Sequence, residues 1–406
     1  MAIVTGANTG IGYETAAGLL AAGYDVVVAC RDERKGCTAV ERLNATSSRR
    51  GAASFGLLDL ASLASVPAFV AGFRARHDAL HALVLNAGMN ISTDHVGARK
   101  MTADGFEICM QTNYLAHYLL MRLLLRDLVG TAAAAVLPHV PVRVVTLGSV
   151  AHRLVLSPRG ADWGACFVGL VHYTYNASKL ACIMMAYELQ RRLAAEGVTR
   201  VAAVAANPGA VDSDIWRHLP APLRACLRPL MRCAFLTPSQ GAAPSLAAAT
   251  QTEIDGRHVT GGEYVVPYAV HCGGSDLLAT AWEAIGPFAG PRVVRSSTLS
   301  YDVVLWSSLW ATTEAALAAH LPATGPGSLL IGLPAPAAGA SKSPALAPGG
   351  GSVRRMLLSP GAALPPAPAP SRAAVAPHRA AADGGGESDP MLDATPPPRR
   401  SGRRAT

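Results

Sequence analysis

A tyrosine and a lysine four residues apart are the residues of this sequence best placed to do chemistry together. Tyr175 and Lys179 stand at the head of a run, 180–193, whose pattern predicts an amphipathic helix. Side chains at positions i and i+4 lie on one face of a helix, so both can point at the same spot. A phenol titrates near ~10 in water, and a neighbouring ammonium lowers that pKa. The pair predicts general acid–base catalysis, although a half-buried tyrosine and a solvated lysine would have the same spacing.

Strand and helix patterns alternate over residues 2–86. Apolar runs at 2–4, 24–29, 53–57 and 82–86 predict buried strands, and helices are expected to about 22, near 33–43 and near 63–76. Such alternation is typical of parallel strands joined by right-handed crossovers, with helices on both faces. The sequence therefore predicts an α/β fold with a doubly wound, mostly parallel sheet (a Rossmann fold). Ligands of such a sheet bind at the carboxyl ends of the strands.

A glycine-rich segment lies between the first strand and the first helix. Gly6, Gly10 and Gly12 have the spacing G-x-x-x-G-x-G. Glycine lets the backbone turn sharply and approach a pyrophosphate, and the helix N-terminus supplies free N–H groups. The segment predicts a dinucleotide site. The residues expected to share in it are Asn8, Thr9 and Ile11.

The end of the second strand bears on the choice of dinucleotide. A carboxylate there would bind the ribose 2′-hydroxyl and repel a 2′-phosphate. This sequence instead has Cys30, followed by Arg31, whose charge suits a phosphate. We expect NADP(H) rather than NAD(H). Two observations leave NAD(H) open: Arg31 could be a surface residue opening a helix, and Asp32 is adjacent.

Seven motifs follow one another along residues 1–310. They are Thr5-Gly6-x-x-x-Gly10-Ile11-Gly12, Asp59-Leu60, Asn86-Ala87-Gly88, Asn113, Ser149, Tyr175-x-x-x-Lys179 and Asn207-Pro208-Gly209. In order and approximate spacing they resemble the short-chain dehydrogenase/reductases. Within that family, segments 29–32, 148–152 and 207–211 are most similar to the retinol dehydrogenase-like branch. That branch acts on apolar aldehydes, ketones and alcohols, commonly with NADP(H).

The resemblance implies a role for each motif. Tyr175 would exchange a proton with the substrate oxygen, Ser149 would hold that oxygen, and Lys179 would lower the Tyr175 pKa and bind the nicotinamide ribose. Asn113 would help to hold a water that relays protons to the lysine. The hydride is the cofactor's chemistry, while the protein supplies orientation and proton transfer. The remaining cofactor contacts implied are Asp59, Leu60, Asn86, Ala87, Gly88, Pro208, Gly209 and Val211.

The sequence departs from the family pattern between Ser149 and Tyr175. These residues are 26 positions apart, which is longer than the usual spacing. We expect 153–172 to form an insertion that contributes to the substrate site. Its candidate lining residues are Trp163, Phe167 and His172.

An apolar and basic segment, about 212–237, matches the family's substrate lid in position. It would admit an apolar substrate or rest on an anionic bilayer, and a helix pair packed on the domain is the other interpretation. Beyond it we expect a helix to about 249, a last strand at 263–266 and a closing helix at 301–321. Relatives that pair through their long helices suggest a homodimer through 104–125 and 180–193.

The last 86 residues, 321–406, differ in composition from the rest. They contain no Phe, Tyr or Trp and 16 of the 29 prolines, so they bury too little to offset the ordering entropy. We expect a disordered tail after a catalytic domain at 1–320. The tail carries a net +5 of the total charge of +8, so the basic pI does not imply a nucleic-acid-binding core.

Cysteine usage and hydropathy bear on location. The eight cysteines are scattered without a C-x-x-C pair, which indicates a reducing compartment, and we expect no metal site. No run reaches the roughly 18 apolar residues that span a bilayer, and no signal peptide precedes the first strand. We expect a cytoplasmic protein, at most peripheral on membranes, with a small apolar carbonyl or alcohol as substrate.

Three alternatives to such an oxidoreductase stay open. A dinucleotide sensor or scaffold that lost the chemistry would be favoured by loss of the tyrosine or lysine, and both are present. A nucleotide-sugar epimerase usually has the spacing G-x-x-G-x-x-G, which Gly6, Gly10 and Gly12 do not match. A protochlorophyllide reductase shares the tyrosine–lysine pair, but nothing else in the sequence favours it.

Overall fold

A computed structural model describes most of the N-terminal three-quarters of the chain. The described residues are 1–46, 51–90, 100–134, 141–155, 162–170, 174–212, 235–268, 279–280, 283 and 287–321. All of them belong to one compact unit, Met1–Lys342. The tail expected at 321–406 lies outside the described residues except for its first residue, and so does the lid between 213 and 234. The predicted domain boundary therefore stays a prediction.

The first half of the fold alternates strand and helix as the hydrophobic pattern predicts. The strands are short runs of valine, isoleucine, leucine and alanine, and β1, β2 and β4 are buried along their whole length. Burial on both faces is the environment that favours such continuous apolar runs. The elements are β1 (Ala2–Thr5), α1 (Gly10–Ala21), β2 (Val26–Cys30), α2 (Glu33–Thr46), β3 (Ala53–Leu57), α3 (Ser65–Arg74) and β4 (Ala82–Leu85).

The second half completes the sheet and covers it. Its first elements are α4 (Ile108–Met110), a π-helical turn (Gln111–Leu115), α5 (Ala116–Ala134), β5 (Val142–Leu147), a 3₁₀ turn (Val150–Leu154), α6 (Trp163–Phe167), α7 (Thr174–Ala195) and β6 (Val201–Ala206). The later ones are α8 (Pro238–Thr250), a small hairpin of β7 (Glu253–Ile254) and β8 (Arg257–His258), β9 (Tyr264–Tyr268), β10 (Phe288–Val294), a 3₁₀ turn (Thr298–Tyr301) and α9 (Val303–Ala316).

Eight strands of the described residues form one sheet in the order β10-β9-β6-β5-β4-β1-β2-β3. All neighbouring pairs are parallel except β9 and β10. One face packs on α3, α5, α7 and α9, and the other on α1, α2 and α8. The strand order reverses between β1 and β4, which is where such sheets bind ligands. The predicted doubly wound fold is confirmed.

The segment 263–266 was predicted to be the last strand. It forms β9, but a further strand follows it, so its place as the last strand was wrongly predicted. A further strand, β10, pairs with β9 in the antiparallel direction and forms the sheet edge. Its register shifts between Phe288 and Arg292, where Gly290 has φ 92° and Pro291 follows. Proline and glycine are tolerated at an edge or bulge but argue against a strand in a sequence pattern, which is why β10 escaped prediction.

Two predicted helices also differ in detail. The helix expected at 104–125 begins at Ile108, contains the π-helical turn and continues to Ala134. The helix expected to be amphipathic is not, because every residue from 177 to 189 is buried. It lies between strands β5 and β6 on one side and α9 on the other. Within the part of the chain that the structure describes, no helix combines the length and apolar character needed to cross a bilayer.

Candidate active site

A cavity of about 690 Å³ follows the carboxyl ends of strands β1 to β6. It is lined by all but one of the residues that the sequence predicts to be catalytic or to bind the cofactor. They are Gly6, Asn8, Thr9, Gly10, Ile11, Gly12, Arg31, Asp59, Leu60, Asn86, Ala87, Gly88, Ser149, Tyr175, Lys179, Pro208, Gly209 and Val211. The exception is Asn113, which is buried and does not line the cavity. The fold therefore brings residues from six strand ends to one place.

The N-terminus of α1 opens into the cavity through the glycine segment. Gly6 has φ 65°, a backbone conformation that side chains rarely adopt. A Cβ atom on Gly12 would collide with the Asn86 amide and the Gly6 carbonyl. The Asn86 Nδ2 in turn donates to the Thr5 carbonyl at 2.7 Å, which fixes the end of β4 against β1. This cradle, with free N–H groups at a helix start, fits the pyrophosphate of a dinucleotide.

The end of β2 presents two cations to the cavity. Arg31 and Lys35 are exposed and line it. Asp32 also lines the cavity, and its carboxylate accepts the Lys35 backbone N–H at 3.0 Å and lies 3.6 Å from the Lys35 ammonium. The backbone hydrogen bond and the lysine charge lower the pKa of Asp32. Asp32 thus caps α2 as part of a charge pair, and Arg31 lines the cavity next to it in the chain.

Asp59 and Leu60 follow β3 and line the cavity beside Arg31. The Asp59 carboxylate accepts the Ala61 backbone N–H at 3.0 Å, while the Asp59 N–H donates to the Ser65 hydroxyl at 2.9 Å. These bonds hold the turn into α3. They leave the second carboxylate oxygen available to a ligand.

Tyr175, Ser149 and Lys179 meet at the other end of the cavity. Ser149 lies just beyond β5, near enough to the Tyr175 phenol for hydrogen bonding by its hydroxyl to lower the pKa of the phenol. The Lys179 ammonium lies 5.9 Å from the centre of the Tyr175 ring and donates to the Leu147 carbonyl at 3.0 Å. The tyrosine and lysine are one helical turn apart at the start of α7, as the spacing predicts.

The expected lowering of the Tyr175 pKa by Lys179 is not what the geometry gives. Burial raises the pKa of Tyr175 to about 12, and only the Ser149 hydrogen bond opposes this. Burial also lowers the pKa of Lys179. The phenol is therefore held in its protonated form at neutral pH.

Asn113 lies in the π-helical turn behind the cavity wall. Its amide oxygen accepts the Met89 N–H at 2.8 Å, and its amide nitrogen donates to the Met89 carbonyl at 3.0 Å and the Ser178 hydroxyl at 2.9 Å. The side chain thereby holds the segment after Gly88 against α7. The proton-relay role of Asn113 stays a prediction.

His117 joins this turn to the glycine segment and was not predicted. Its Nδ1–H donates to the Asn113 carbonyl at 2.8 Å, so the neutral ring must accept at Nε2, where the Thr5 hydroxyl lies at 2.9 Å. The Thr5 hydroxyl also accepts the Ala87 N–H at 2.9 Å. Burial lowers the pKa of His117 to about 4. The four-residue spacing from Asn113 was the only available signal.

The insertion between Ser149 and Tyr175 contributes less to the cavity than expected. Trp163 and Phe167 belong to α6, are buried in the core and do not line the cavity. Phe167 instead stacks on Tyr114 with ring centres 6.2 Å apart. Both side chains pack in the hydrophobic core, which is where large aromatic residues of a helix usually lie. Their predicted place in the substrate site was therefore wrong. The third candidate, His172, lies outside the described residues.

Several cavity residues were not predicted. They include Lys35, Met89, Thr112, Val150, Leu154, Phe235 and Thr280. Lys35 could have been inferred from its position one turn into α2, beside Arg31. Thr280 could not, because it comes from a segment far along the chain with no recognisable motif.

The fold and cavity define a dinucleotide-dependent enzyme, and comparisons with known proteins agree. The sequence profile described as short chain dehydrogenase matches residues 1–151. Polyprenol dehydrogenase from Danio rerio is 33% identical over 313 residues, which cover 76% of this chain and 84% of that protein. Retinol dehydrogenase 11 from Homo sapiens is 36% identical, over 61% of this chain and 71% of that protein.

A solved structure gives the same result. An uncharacterised protein from Mycobacterium paratuberculosis is 28% identical with a TM-score of 0.53, covering 78% of this chain and 92% of that one. The chain belongs to the short-chain dehydrogenase family, and its relatives include the retinol dehydrogenase-like branch that its motifs resemble. It is an oxidoreductase that acts on CH–OH groups with a nicotinamide cofactor.

Proposed function

We propose that this enzyme transfers a hydride between NADP(H) and an apolar aldehyde, ketone or alcohol, with Tyr175 as general acid and base. The observation that supports the proposal is the placement of Ser149, Tyr175 and Lys179 in one cavity with the glycine segment, with the Lys179 ammonium 5.9 Å from the centre of the Tyr175 ring. The bound cofactor would supply the hydride, and the chain's residues would orient the reactants and move the proton.

The protonated phenol of Tyr175 suits carbonyl reduction. It would give its proton to the oxygen of the nascent alcohol, which is more basic than a phenolate. Ser149 would hold the same oxygen by a second hydrogen bond. Lys179 would bind the nicotinamide ribose, and the Pro208–Gly209 turn would contact the nicotinamide itself.

The substrate we propose is a long isoprenoid alcohol or its aldehyde. The cavity that contains Tyr175 is lined in part by apolar side chains, among them Val150, Leu154 and Phe235. The names of the relatives, polyprenol dehydrogenase and retinol dehydrogenase, describe alcohols of this kind. A cytoplasmic location with peripheral membrane contact through the lid stays a prediction, because residues 213–234 lie outside the described part of the chain.

The choice of NADP(H) over NAD(H) rests on Arg31 and Lys35. Two cations line the cavity at the end of β2, and the nearby Asp32 carboxylate is occupied by α2. Two cations at this point favour a 2′-phosphate.

The test is oxidation of NADPH by the purified protein with a panel of retinal, polyprenal, steroid ketones and small quinones. Tyr175→Phe should lower turnover about 10²-fold or more, because a positioned proton donor is lost while ring volume is kept. Tyr173→Phe is the matched control, since the residue four positions after Tyr173 is Ala177 rather than a lysine. It should keep its turnover.

Two results would overturn the proposal. Full activity of Tyr175→Phe would show that Tyr175 is not the general acid and base. Tight NADPH binding without turnover of any panel member would favour the sensor or scaffold alternative instead.

A further inference from the structure

A buried carboxylate, Glu283, lies outside every motif of the family pattern. Its side chain is 6% exposed, and both of its oxygens are used. Oε1 accepts from the Arg153 guanidinium at 3.0 Å from Nε and 2.5 Å from Nη2. Oε2 accepts from the Asn207 amide at 3.0 Å and from the Tyr264 hydroxyl at 2.9 Å. Four donors from three other segments thus converge on one carboxylate.

The first of these segments is the 3₁₀ turn that begins beside Ser149. Arg153 belongs to that turn, and its Nη2 also donates to the Arg295 carbonyl at 2.6 Å. The neighbouring His152 donates from Nδ1 to the Ser149 carbonyl at 2.6 Å and accepts the Ser297 N–H at Nε2, at 3.0 Å. The backbone that carries the Ser149 hydroxyl is therefore fastened to this polar cluster.

The second segment is the turn after β6. The Asn207 amide nitrogen donates to Glu283, which fixes the amide so that its oxygen faces the Gly209 N–H and accepts it at 3.0 Å. Pro208 and Gly209 line the cavity. Without the carboxylate, the Asn207 amide would lose the bond that sets its orientation, and the turn would lose its internal hydrogen bond.

A third contribution comes from the Glu283 segment itself. Thr280, three residues earlier, lines the cavity. Thr280 and Glu283 are both helical, so the carboxylate belongs to a segment of the chain that also contributes to the cavity wall.

The energetics make Glu283 a demanding choice for a purely structural residue. Burial raises its pKa, and the Arg153 charge with the three kinds of donor opposes that shift. A buried ion pair is often replaceable by apolar side chains without loss of stability. Its retention here is explained if the charge-assisted bonds fix geometry rather than add stability.

We propose that Glu283 is a positioning residue that locks the Ser149 turn and the Pro208–Gly209 turn to each other at the Tyr175 end of the cavity. The inference rests on the proposed function for its catalytic consequence only. The anchoring itself is a property of the cofactor-free protein and can be measured there.

Glu283→Gln should lower kcat, expressed per NADPH-binding site, about 10- to 100-fold, because small misplacements of reacting groups cause losses of this size. Hydrogen exchange should become faster at the Gly209 and His152 amides. The matched control is Glu188→Gln, which removes another buried carboxylate paired with Arg191 and Arg192. Glu188 lies about 13 Å beyond Lys179 along α7. This control should be less stable than the wild type. Its kcat should be unchanged, and hydrogen exchange should stay slow at both turns.

The double variant Arg153→Met with Glu283→Leu separates positioning from folding. Replacing the whole ion pair by apolar side chains should restore the melting temperature toward that of the wild type, while kcat stays low because Asn207 and the Ser149 turn remain unanchored.

Recovery of kcat together with stability would overturn the proposal, as would wild-type kcat in Glu283→Gln. If the wild-type protein turns over no panel substrate, the proposed function fails, and hydrogen exchange decides the inference. Unchanged exchange at both turns in Glu283→Gln would then refute it.

Discussion

The Tyr175 hydroxyl is the residue-scale feature with the most direct chemical consequence. Because burial raises its pKa to about 12, the phenol is ready as an acid and scarce as a base near neutral pH. Below that pKa, the fraction of phenolate rises about tenfold for each unit by which the pH increases. Reduction and oxidation should therefore respond differently to pH.

We expect kcat/KM for alcohol oxidation to rise about tenfold per pH unit between pH 7 and 9, and kcat/KM for carbonyl reduction to stay flat over that range. Steady-state rates in both directions with one alcohol–aldehyde pair provide the measurement. A plateau in the oxidation profile that begins at pH 7 would show that the phenol titrates far lower and that the Lys179 charge dominates after all.

Arg31 carries the second residue-scale prediction. Arg31→Ala should weaken NADPH binding about 10- to 100-fold and leave NADH binding unchanged, because a hydrogen bond to a charged phosphate contributes ~1.5–3 kcal/mol. The matched control, Arg34→Ala, removes an exposed arginine of α2 that does not line the cavity. Fluorescence titration with both cofactors measures the effect. Equal affinity of the wild-type protein for NADPH and NADH would contradict the phosphate site.

At the scale of elements, the His117 ring joins strand β1 to the π-helical turn through two hydrogen bonds. The ring is neutral in the folded protein, with its pKa lowered to about 4 by burial, whereas in the unfolded chain it titrates near its ordinary value. Between those two pKa values the unfolded state binds the extra proton. Stability is therefore full above about pH 6.5 and falls as the pH drops toward 4.

We expect His117 to account for a loss of about 2 kcal/mol of unfolding free energy between pH 7 and pH 5. The His117→Gln variant should lack that part of the pH dependence. Urea unfolding of both proteins at the two pH values gives the difference. His77→Gln, at a less buried histidine whose pKa is also lowered, should change the pH dependence less. Parallel pH curves for wild type and His117→Gln would contradict the prediction.

The helices and strands also show which parts of the fold could be predicted from the sequence. Strands β1 to β4 were predictable because each is a continuous apolar run whose crossover helix follows directly in the chain. Strand β10 was not predicted because Gly290 and Pro291 interrupt its pattern, and the π-helical turn was not predicted because it lies inside a longer helical pattern. The Arg153–Glu283 pair, 130 residues apart, has no local signal at all.

Within the candidate site, the division is similar. The glycine segment, Tyr175 and Lys179 were predicted because their spacing follows from helix and strand geometry, whereas Ser149 was predicted only through the family resemblance. Trp163 and Phe167 were misassigned, since an aromatic residue in an insertion looks the same in sequence whether it faces a cavity or the core. Only the packing of α6 on its neighbours distinguishes the two.

At the scale of the whole molecule, α9 covers the helices that were expected to form a homodimer. Trp310 of α9 is buried between two guanidinium groups, 5.7 Å from Arg122 of α5 and 4.6 Å from Arg192 of α7. Its ring also meets Tyr118 of α5 edge-on at 4.8 Å. Pairing of two chains through α5 and α7 would require α9 to leave this place.

We therefore expect a monomer, with a mass near 41.8 kDa by light scattering at micromolar concentration. Trp310→Ala should lower the unfolding free energy by about 3–5 kcal/mol, as for other buried tryptophans, and should promote self-association by loosening α9. Trp306→Ala is the matched control, since it removes the same side chain one turn earlier but leaves both arginine contacts. The Trp306→Ala variant should keep the mass of a monomer in light scattering. A wild-type dimer cross-linked between the α5 helices of two copies would contradict the prediction, because that contact cannot form while Trp310 occupies the face.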